Sequence, residues 1–303
     1  MSGRNPPLPF DTLPLSVYEV SAITMLTMRN TKSPAQLARS TALTALLGTL
    51  LAPAAHAQDW ARQRLEDTPR HLEWVTVQHD DRAVNCFLAY PEVSGKATAV
   101  VVIHEIFGLT EWARGVTDQL AEAGYIAIAP DLLSGMGPNG GGTDELAGND
   151  AVRRTISTLP PDQITADLNA VVDYVAALPA CNGKVVVGGF CWGGTQTFRF
   201  ATNNRKILAA FPFYGSGPED PADIARINVP VHGFYGGNDA RVNATIPKSK
   251  ALMQAAGKTY EPVLYEGAGH GFMRAGEAPD AADANRRARA EAWQRWKAIL
   301  GQL

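Results

Sequence analysis

The chain lacks an excess of charge of either sign. Its 303 residues carry 27 lysines and arginines against 30 aspartates and glutamates, a formal net charge of −3. The basic residues are scattered along the chain, so no segment is predicted to neutralise a phosphate backbone. Nucleic acid is therefore not an expected partner.

Metal-ligand patterns are also lacking. The sequence has six histidines and three cysteines, and none of them forms a His-x-x-x-His or Cys-x-x-Cys pair. His71, His79 and His232 fall within or at the ends of predicted strands, where a structural role is the simpler interpretation. We expect no metal and no cofactor.

Long hydrophobic runs are lacking as well. The longest candidate, residues 41–53, has about a dozen apolar positions, whereas a membrane-spanning helix needs roughly 20. Basic residues precede this run, and Ala55-His56-Ala57 follows it as an A-x-A cleavage pattern. The basic residues are Arg29, Lys32 and Arg39. A secretory signal starting at Met28 and cleaved after Ala57 is the prediction, with a core helix, a membrane anchor or an uncleaved tail as alternatives.

This signal divides the chain into an N-terminal extension, residues 1–57, and a single predicted domain, residues 58–303. The mature protein is then expected to be periplasmic or secreted, without a membrane partner. All three cysteines lie in the domain, and an odd number in an oxidising compartment implies a free thiol. Cys191 is the candidate, while Cys86 and Cys181 either pair or remain buried thiols.

Short apolar runs alternate with segments of helical periodicity from residue 72 onward. Strands are predicted at residues 72–77, 84–90, 99–103, 125–129, 184–188, 208–213, 229–235 and 260–265. Helices are predicted at residues 111–123, 162–177, 196–202, 244–256 and 281–300. The alternation predicts an α/β fold with a mostly parallel, doubly wound sheet covered by helices on both faces. Residues 134–148 are predicted to be a long irregular loop.

The pattern Gly-x-Cys-x-Gly at residues 189–193 directly follows an apolar strand. It has the form of the nucleophile elbow of α/β-hydrolases, with cysteine in place of serine, because glycines relieve crowding in that strained turn. The following helix N-terminus favours the thiolate form of Cys191. A glycine-rich turn around a buried cysteine is the alternative, whereas a dinucleotide fingerprint does not fit the glycine spacing.

An acid and a histidine follow in the order that α/β-hydrolases use. Asp239 comes just after the strand at 229–235, and His270 lies in a loop after the strand at 260–265. Each alone could be a turn or loop residue. Together they predict that His270 accepts the thiol proton while Asp239 fixes the imidazole tautomer.

An oxyanion hole requires two backbone N–H groups. Trp192, directly after the candidate nucleophile, supplies the first, and Ile106, in the loop after the strand at 99–103, is the candidate for the second. The side chain of Glu105 is expected beside the same pocket, although a solvated loop acid is the alternative.

These residues resemble the dienelactone hydrolase family, also called carboxymethylenebutenolidases. The resemblance rests on four motifs: HEIFGL at 104–109, GFCWGG at 189–194, GGND at 236–239 and HGF at 270–272. The spacing between Cys191, Asp239 and His270 is similar as well. The resemblance extends from about Leu72 to the C-terminus.

The resemblance implies roles that the residues alone do not indicate. It implies that Glu105 contacts the resting thiol and helps to form the thiolate when substrate binds. It also implies arginines that hold a substrate carboxylate: Arg274, and from the region before the elbow Arg153 or Arg154. We therefore expect a hydrolase of lactones or small esters that forms a Cys191 thioester. A broad esterase or acyltransferase and a catalytically silent binding protein are the alternatives.

Overall fold

A computed structural model describes residues 59–303. The predicted signal peptide lies outside the described residues. Within the described part, no helix is both long and apolar enough to cross a membrane.

Eight strands form one sheet. Their bounds are β1 Leu72–His79, β2 Arg82–Ala89, β3 Ala97–Ile103, β4 Ile126–Pro130, β5 Cys181–Phe190, β6 Ala210–Phe213, β7 Val231–Gly236 and β8 Tyr260–Tyr265. Across the sheet their order is β1-β2-β4-β3-β5-β6-β7-β8. β2 pairs antiparallel with β1 and β4, and the remaining neighbours pair in parallel. The predicted mostly parallel sheet is confirmed.

Helices connect the parallel strands. Their bounds are α1 Asp59–Asp67, α2 Glu111–Glu122, α3 Gly148–Ser157, α4 Pro161–Ala177, α5 Trp192–Ala201, α6 Pro221–Ala225, α7 Ala240–Asn243, α8 Ile246–Ala255, α9 Phe272–Ala275 and α10 Asp283–Leu300. The predicted helix at 244–256 is wrong at its start, because Pro247 in the first turn favours a new helix beginning at Ile246. The loop predicted at 134–148 contains a 3₁₀ turn, Thr143–Glu145, and leads into α3.

Both faces of the sheet are buried, which explains the continuous apolar strands. In β3, Val101 and Ile103 belong to one core cluster, whereas Val100 and Val102 belong to the cluster on the other face. Side chains alternate across a strand, so a strand covered on both sides must be apolar at every position. The core thereby fixes the strand ends from which the functional loops leave.

The first described helix is attached to the domain by a buried acid. Asp118 of α2 is fully buried and accepts hydrogen bonds from Arg64, Thr68 and Arg70. These contacts lower the pKa of Asp118, chiefly through the hydrogen bond from Arg70, against the opposing effect of burial. The fold therefore includes α1, which begins two residues after the predicted cleavage position.

Cys86 and Cys181 are both buried free thiols. They lie on β2 and β5, and two other strands separate these in the sheet. Adjacent strands are about 4.8 Å apart, so a disulfide between such distant strands is out of reach. The alternative of two buried thiols is therefore the one observed.

Candidate active site

Cys191 occupies a strained turn between β5 and α5. Its φ of 56° lies in the left-handed region, which is uncommon for a residue with a side chain. The turn is tight because an added Cβ at Gly193 would collide with the backbone carbonyls of Ile103 and His104. The glycines of the motif therefore allow the elbow to pack against the end of β3.

His270 links Cys191 to Asp239 in one hydrogen-bonded line. Its Nε2 atom lies 3.1 Å from Cys191 Sγ, and its Nδ1 atom lies 2.5 Å from Asp239 Oδ2. Asp239 is buried and also accepts a hydrogen bond from the Val242 N–H at the start of α7. The three side chains that the sequence placed after separate strands thus meet at one edge of the sheet.

The surroundings of His270 favour its protonated form. The hydrogen bond with Cys191 contributes most, Asp239 adds to it, burial opposes it, and together they raise the pKa of His270 to about 9. At neutral pH a proton on Nδ1 can be donated to Asp239 while Nε2 presents its proton to sulfur.

Two backbone N–H groups beside the thiol are free to bind a ligand. Neither Ile106 N–H nor Trp192 N–H donates a hydrogen bond within residues 59–303. Trp192 is the first residue of α5, where an N–H has no intrahelical acceptor. Ile106 lies in the segment between β3 and α2, which we call the 104–109 loop. Both N–H groups thus have no protein acceptor among residues 59–303, which is what an oxyanion donor requires.

Glu105 is buried rather than solvated, and its hydrogen bond goes to Arg274 rather than to the thiol. Its Oε2 atom accepts a hydrogen bond of 2.7 Å from Arg274 Nε, while Cys191 faces His270. The contact between Glu105 and the resting thiol, implied by the resemblance, is therefore not the one observed. A guanidinium is the stronger partner for a buried carboxylate because it supplies a full opposite charge.

Burial raises the pKa of Glu105, although Arg274 opposes this effect. The Tyr214 hydroxyl lies in the same electrostatic environment: it is buried, and burial with the charges of Glu105 and Cys191 raises its pKa well above the usual value. Its φ of 41° shows that the backbone after β6 is also strained. Sequence reasoning missed Tyr214, because a tyrosine after an apolar strand resembles an ordinary core residue.

Two arginine side chains lie over the ring of Phe107. The guanidinium carbon of Arg153 lies 4.9 Å from the ring centroid, and that of Arg274 lies 5.3 Å from it. Both distances fit cation–π contacts. Arg154, the next residue of α3, is exposed, and among the described residues only Arg153 and Arg274 lie over the Phe107 ring. The structure thus distinguishes the two sequence candidates, and Phe107 is a further residue that the sequence did not reveal.

The described residues contain no cluster of three or more histidine, cysteine or acidic side chains suited to a metal ion. The sheet, the strained turn after β5 and the order of Cys191, Asp239 and His270 together define an α/β-hydrolase fold.

The chain belongs to the dienelactone hydrolase family, whose model matches residues 84–303. A relative from Methylorubrum extorquens, named as a carboxymethylenebutenolidase, is 33% identical over 65% of this chain and 71% of its own length. A Bradyrhizobium relative, named as a 2-oxo-3-(5-oxofuran-2-ylidene)propanoate lactonase, is 27% identical over 66% of this chain and 84% of its own. A crystal structure described as a dienelactone hydrolase from Klebsiella pneumoniae covers 78% of this chain and all of that chain, with 27% identity and a TM-score of 0.68. The chain is thus a hydrolase of this family.

Proposed function

We propose that this hydrolase cleaves lactones or small carboxylic esters with Cys191 as its nucleophile. The hydrogen-bonded line of Cys191, His270 and Asp239 at a strained elbow is the observation that carries the proposal. A raised pKa of His270 favours an imidazolium beside a thiolate, and a thiolate attacks carbonyl carbon without waiting for a base.

Acylation begins when the Cys191 thiolate adds to the carbonyl carbon of the ester. The carbonyl π electrons move to oxygen, and the Ile106 and Trp192 N–H groups stabilise the resulting oxyanion. When the carbonyl re-forms, the carbon–oxygen bond to the leaving alkoxide breaks and the His270 imidazolium supplies its proton. The products of this step are a thioester on Cys191 and an alcohol, which in a lactone remains part of the same molecule.

Deacylation uses the same groups in reverse. His270, now neutral, takes a proton from water as the water oxygen adds to the thioester carbon. The sulfur–carbon bond then breaks, which releases a carboxylic acid and restores the thiolate beside the imidazolium. Asp239 keeps the Nδ1 proton in place throughout, so that Nε2 always faces the reacting atoms.

A carboxylate on the substrate fits the arginines beside Phe107. Arg274 uses Nε to bind Glu105, and its two Nη groups make no hydrogen bond within the described residues. Arg153 presents a second guanidinium to the same ring. The named substrate of the Bradyrhizobium relative combines a lactone with a carboxylate. We therefore propose a substrate with a carboxylate close to the scissile ester, bound by Arg274 and Arg153.

Glu105 and the proposed substrate carboxylate would both bind Arg274, and so compete for it. A substrate carboxylate that binds the guanidinium weakens its attraction for Glu105, whose pKa burial already raises. Binding of a substrate carboxylate and the charge of Glu105 should therefore be coupled through Arg274.

Export is part of the proposal. Residues 28–57 form the proposed signal peptide, and cleavage after Ala57 leaves α1 intact at the start of the domain, residues 58–303. N-terminal sequencing of protein from the periplasm or the medium is the test. A mature protein that begins near Gln58 is expected, whereas full-length protein in the cytoplasm would contradict export.

The catalytic proposal is tested with a short aryl ester and Cys191→Ala. Hydrolysis should fall by at least about a thousandfold, because removing a nucleophile leaves only binding and the oxyanion hole. Cys181→Ala, which removes a buried thiol at the start of β5, is the matched control and should retain activity. Mass spectrometry of acid-quenched enzyme should show an acyl adduct on Cys191. Full activity of Cys191→Ala would overturn the mechanism, and an inactive wild type would favour a binding protein.

Substrate class is tested by comparing a lactone that carries a carboxylate with a neutral ester of similar leaving group. The wild type should prefer the carboxylate-bearing lactone. Equal turnover of both would instead indicate a broad esterase.

A further inference from the structure

The 104–109 loop carries the Ile106 N–H, yet neither Ile106 nor its neighbours belong to a helix or strand. A backbone donor is useful for catalysis only when it is held in place before the reaction begins. Something outside the loop must therefore fix it.

One attachment lies after Ile106 and runs through Thr143. The Leu109 N–H donates a hydrogen bond of 3.0 Å to Thr143 Oγ1, and this hydroxyl donates in turn to Asp131 Oδ1 at 2.8 Å. The Thr143 N–H donates to the other oxygen of Asp131 at 2.7 Å. A hydroxyl can accept from Leu109 and donate to Asp131 through the same oxygen atom.

This attachment is buried and close-fitting. Asp131 is 6% exposed and Thr143 is 8% exposed. Gly108 has a φ of 76°, and an added Cβ there would collide with Thr143 Oγ1. Water is thus a poor substitute for the Thr143 hydroxyl, since there is little space beside it.

A second attachment lies before Ile106 and ends at Leu132, the residue after Asp131. His104 is buried, its Nε2 atom accepts a hydrogen bond of 3.4 Å from the Leu132 N–H, and its Nδ1 atom lies 2.8 Å from the Glu105 carbonyl oxygen. The neutral imidazole, with its proton on Nδ1, satisfies both contacts, and burial lowers the pKa of His104. The ring also stacks on Trp192, with centroids 5.6 Å apart.

Both attachments lead to residues that directly follow β4. Because β3 and β4 are parallel neighbours, the segments leaving their carboxyl ends lie side by side. The 104–109 loop is thus attached at two points to residues outside it. Leu132 binds His104, before Ile106, and Asp131 binds through Thr143 to Leu109, after Ile106. Among residues 59–303, Cys191 Sγ and the His270 ring form their hydrogen bonds with each other and with Asp239, not with the atoms of these attachments.

We propose that Thr143 and Asp131 are positioning residues that hold the Ile106 N–H in the oxyanion hole. The inference rests on the proposed function, because it concerns the same acyl transfer. Thr143 affects the reaction only through the backbone of Leu109 and the loop before it. Its loss should reduce stabilisation of the oxyanion while leaving the thiolate and the imidazolium intact.

The experiment compares Thr143→Val with wild type in two reactions of Cys191. Hydrolysis of an aryl ester passes through an oxyanion, and kcat should fall about ten- to hundredfold while KM changes less than about twofold. Alkylation by iodoacetamide displaces iodide from a saturated carbon and forms no oxyanion. Its rate should stay within about twofold of wild type, since it depends on the thiolate alone.

Two further variants and a control complete the test. Thr143→Ser keeps the hydroxyl and should retain kcat within about threefold. Asp131→Asn changes the other residue of the same attachment and should lower kcat as Thr143→Val does. Asp131→Asn keeps the inference testable if Thr143→Val does not fold, as judged by circular dichroism. Thr117→Val is the matched control, because Thr117 is also buried but its hydroxyl donates to the Ala113 carbonyl within α2.

The outcomes separate the inference from the proposed function. Parallel losses of ester hydrolysis and alkylation in Thr143→Val would mean that the variant damages the whole site, and would overturn the positioning role. Unchanged hydrolysis in a wild-type background that turns over ester would overturn it too. A wild type without Cys191-dependent hydrolysis would overturn the proposed function first, and the inference with it.

Discussion

Two buried carboxylates of the site pair with cationic side chains from the segment 270–274, but the two cations differ in their chemistry. Asp239 is 6% exposed and binds His270, while Glu105 is 3% exposed and binds Arg274. The two cations are four residues apart, on either side of the start of α9. An imidazolium can release its proton during a reaction, whereas a guanidinium keeps its charge at any pH that the protein survives.

The comparison shows how the identity of the cation decides the role of the acid. In the proposed mechanism Asp239 controls where a mobile proton resides, so we expect its removal to affect bond making and breaking. Glu105 balances a fixed charge that also faces the proposed substrate site. Removal of that pair should affect stability and substrate preference more than proton transfer.

The largest expected effect is that of Asp239→Asn. An asparagine cannot hold the Nδ1 proton as a carboxylate does, so kcat should fall on the order of a thousandfold. Glu105→Gln is the matched control, since it makes the same chemical change at the other acid, and its loss of kcat on a neutral ester should be at least tenfold smaller. Steady-state kinetics on one ester measures both. Equal losses would remove the proposed division of roles.

Arg274→Ala should reduce the preference for a carboxylate-bearing lactone about ten- to hundredfold, because a charge-assisted hydrogen bond is lost. The measurement is the ratio of kcat/KM for that lactone to kcat/KM for a neutral ester. An unchanged ratio would show that the guanidinium serves Glu105 alone.

The pair Glu105 and Arg274 should also be coupled in stability. Arg274→Met leaves a buried carboxylate unpaired and should lower the free energy of unfolding by about 2 kcal/mol. Glu105→Gln in the same chain should recover more than half of this loss, because a neutral amide is less costly to bury. Urea unfolding of the two single variants and the double variant gives the coupling. Additive losses would contradict a direct interaction.

Arg153→Ala should lower the same substrate preference about three- to tenfold, a smaller effect, because Arg153 is half exposed and reaches the site by way of Phe107. Arg154→Ala is the matched control on the neighbouring position of α3 and should change nothing. A larger effect from Arg154→Ala would reverse the assignment of the second arginine.

The smallest expected effect is on stability as a function of pH. The folded protein raises the pKa of His270 from its ordinary 6.5 to about 9, so this group stabilises the fold fully below pH 6.5 and the contribution is lost as pH rises through 9. The melting temperature of wild type minus that of His270→Asn should therefore decrease by a few degrees between pH 6 and pH 10. An increase over that range would contradict the raised pKa.

Much of this site could be predicted because parallel strands impose order. Cys191, Asp239 and His270 each follow an apolar strand, and the ends of parallel strands meet at one edge, so their chain positions indicated their proximity. Helix starts were less predictable. The glycines at the start of α5 have low helix propensity, and only the packing of that helix against β3 and β6 explains why it begins at Trp192.

The sequence by itself determined the fold class and which three residues, Cys191, His270 and Asp239, come together, since strand patterns and chain order are local properties. Tertiary structure alone decided the partner of Glu105, the placement of Arg153 over the ring of Phe107, and the attachment of the 104–109 loop through Thr143 and Asp131. These depend on side-chain contacts between segments far apart in the chain. No pattern of spacing encodes such contacts, because they follow from the packing of the whole domain.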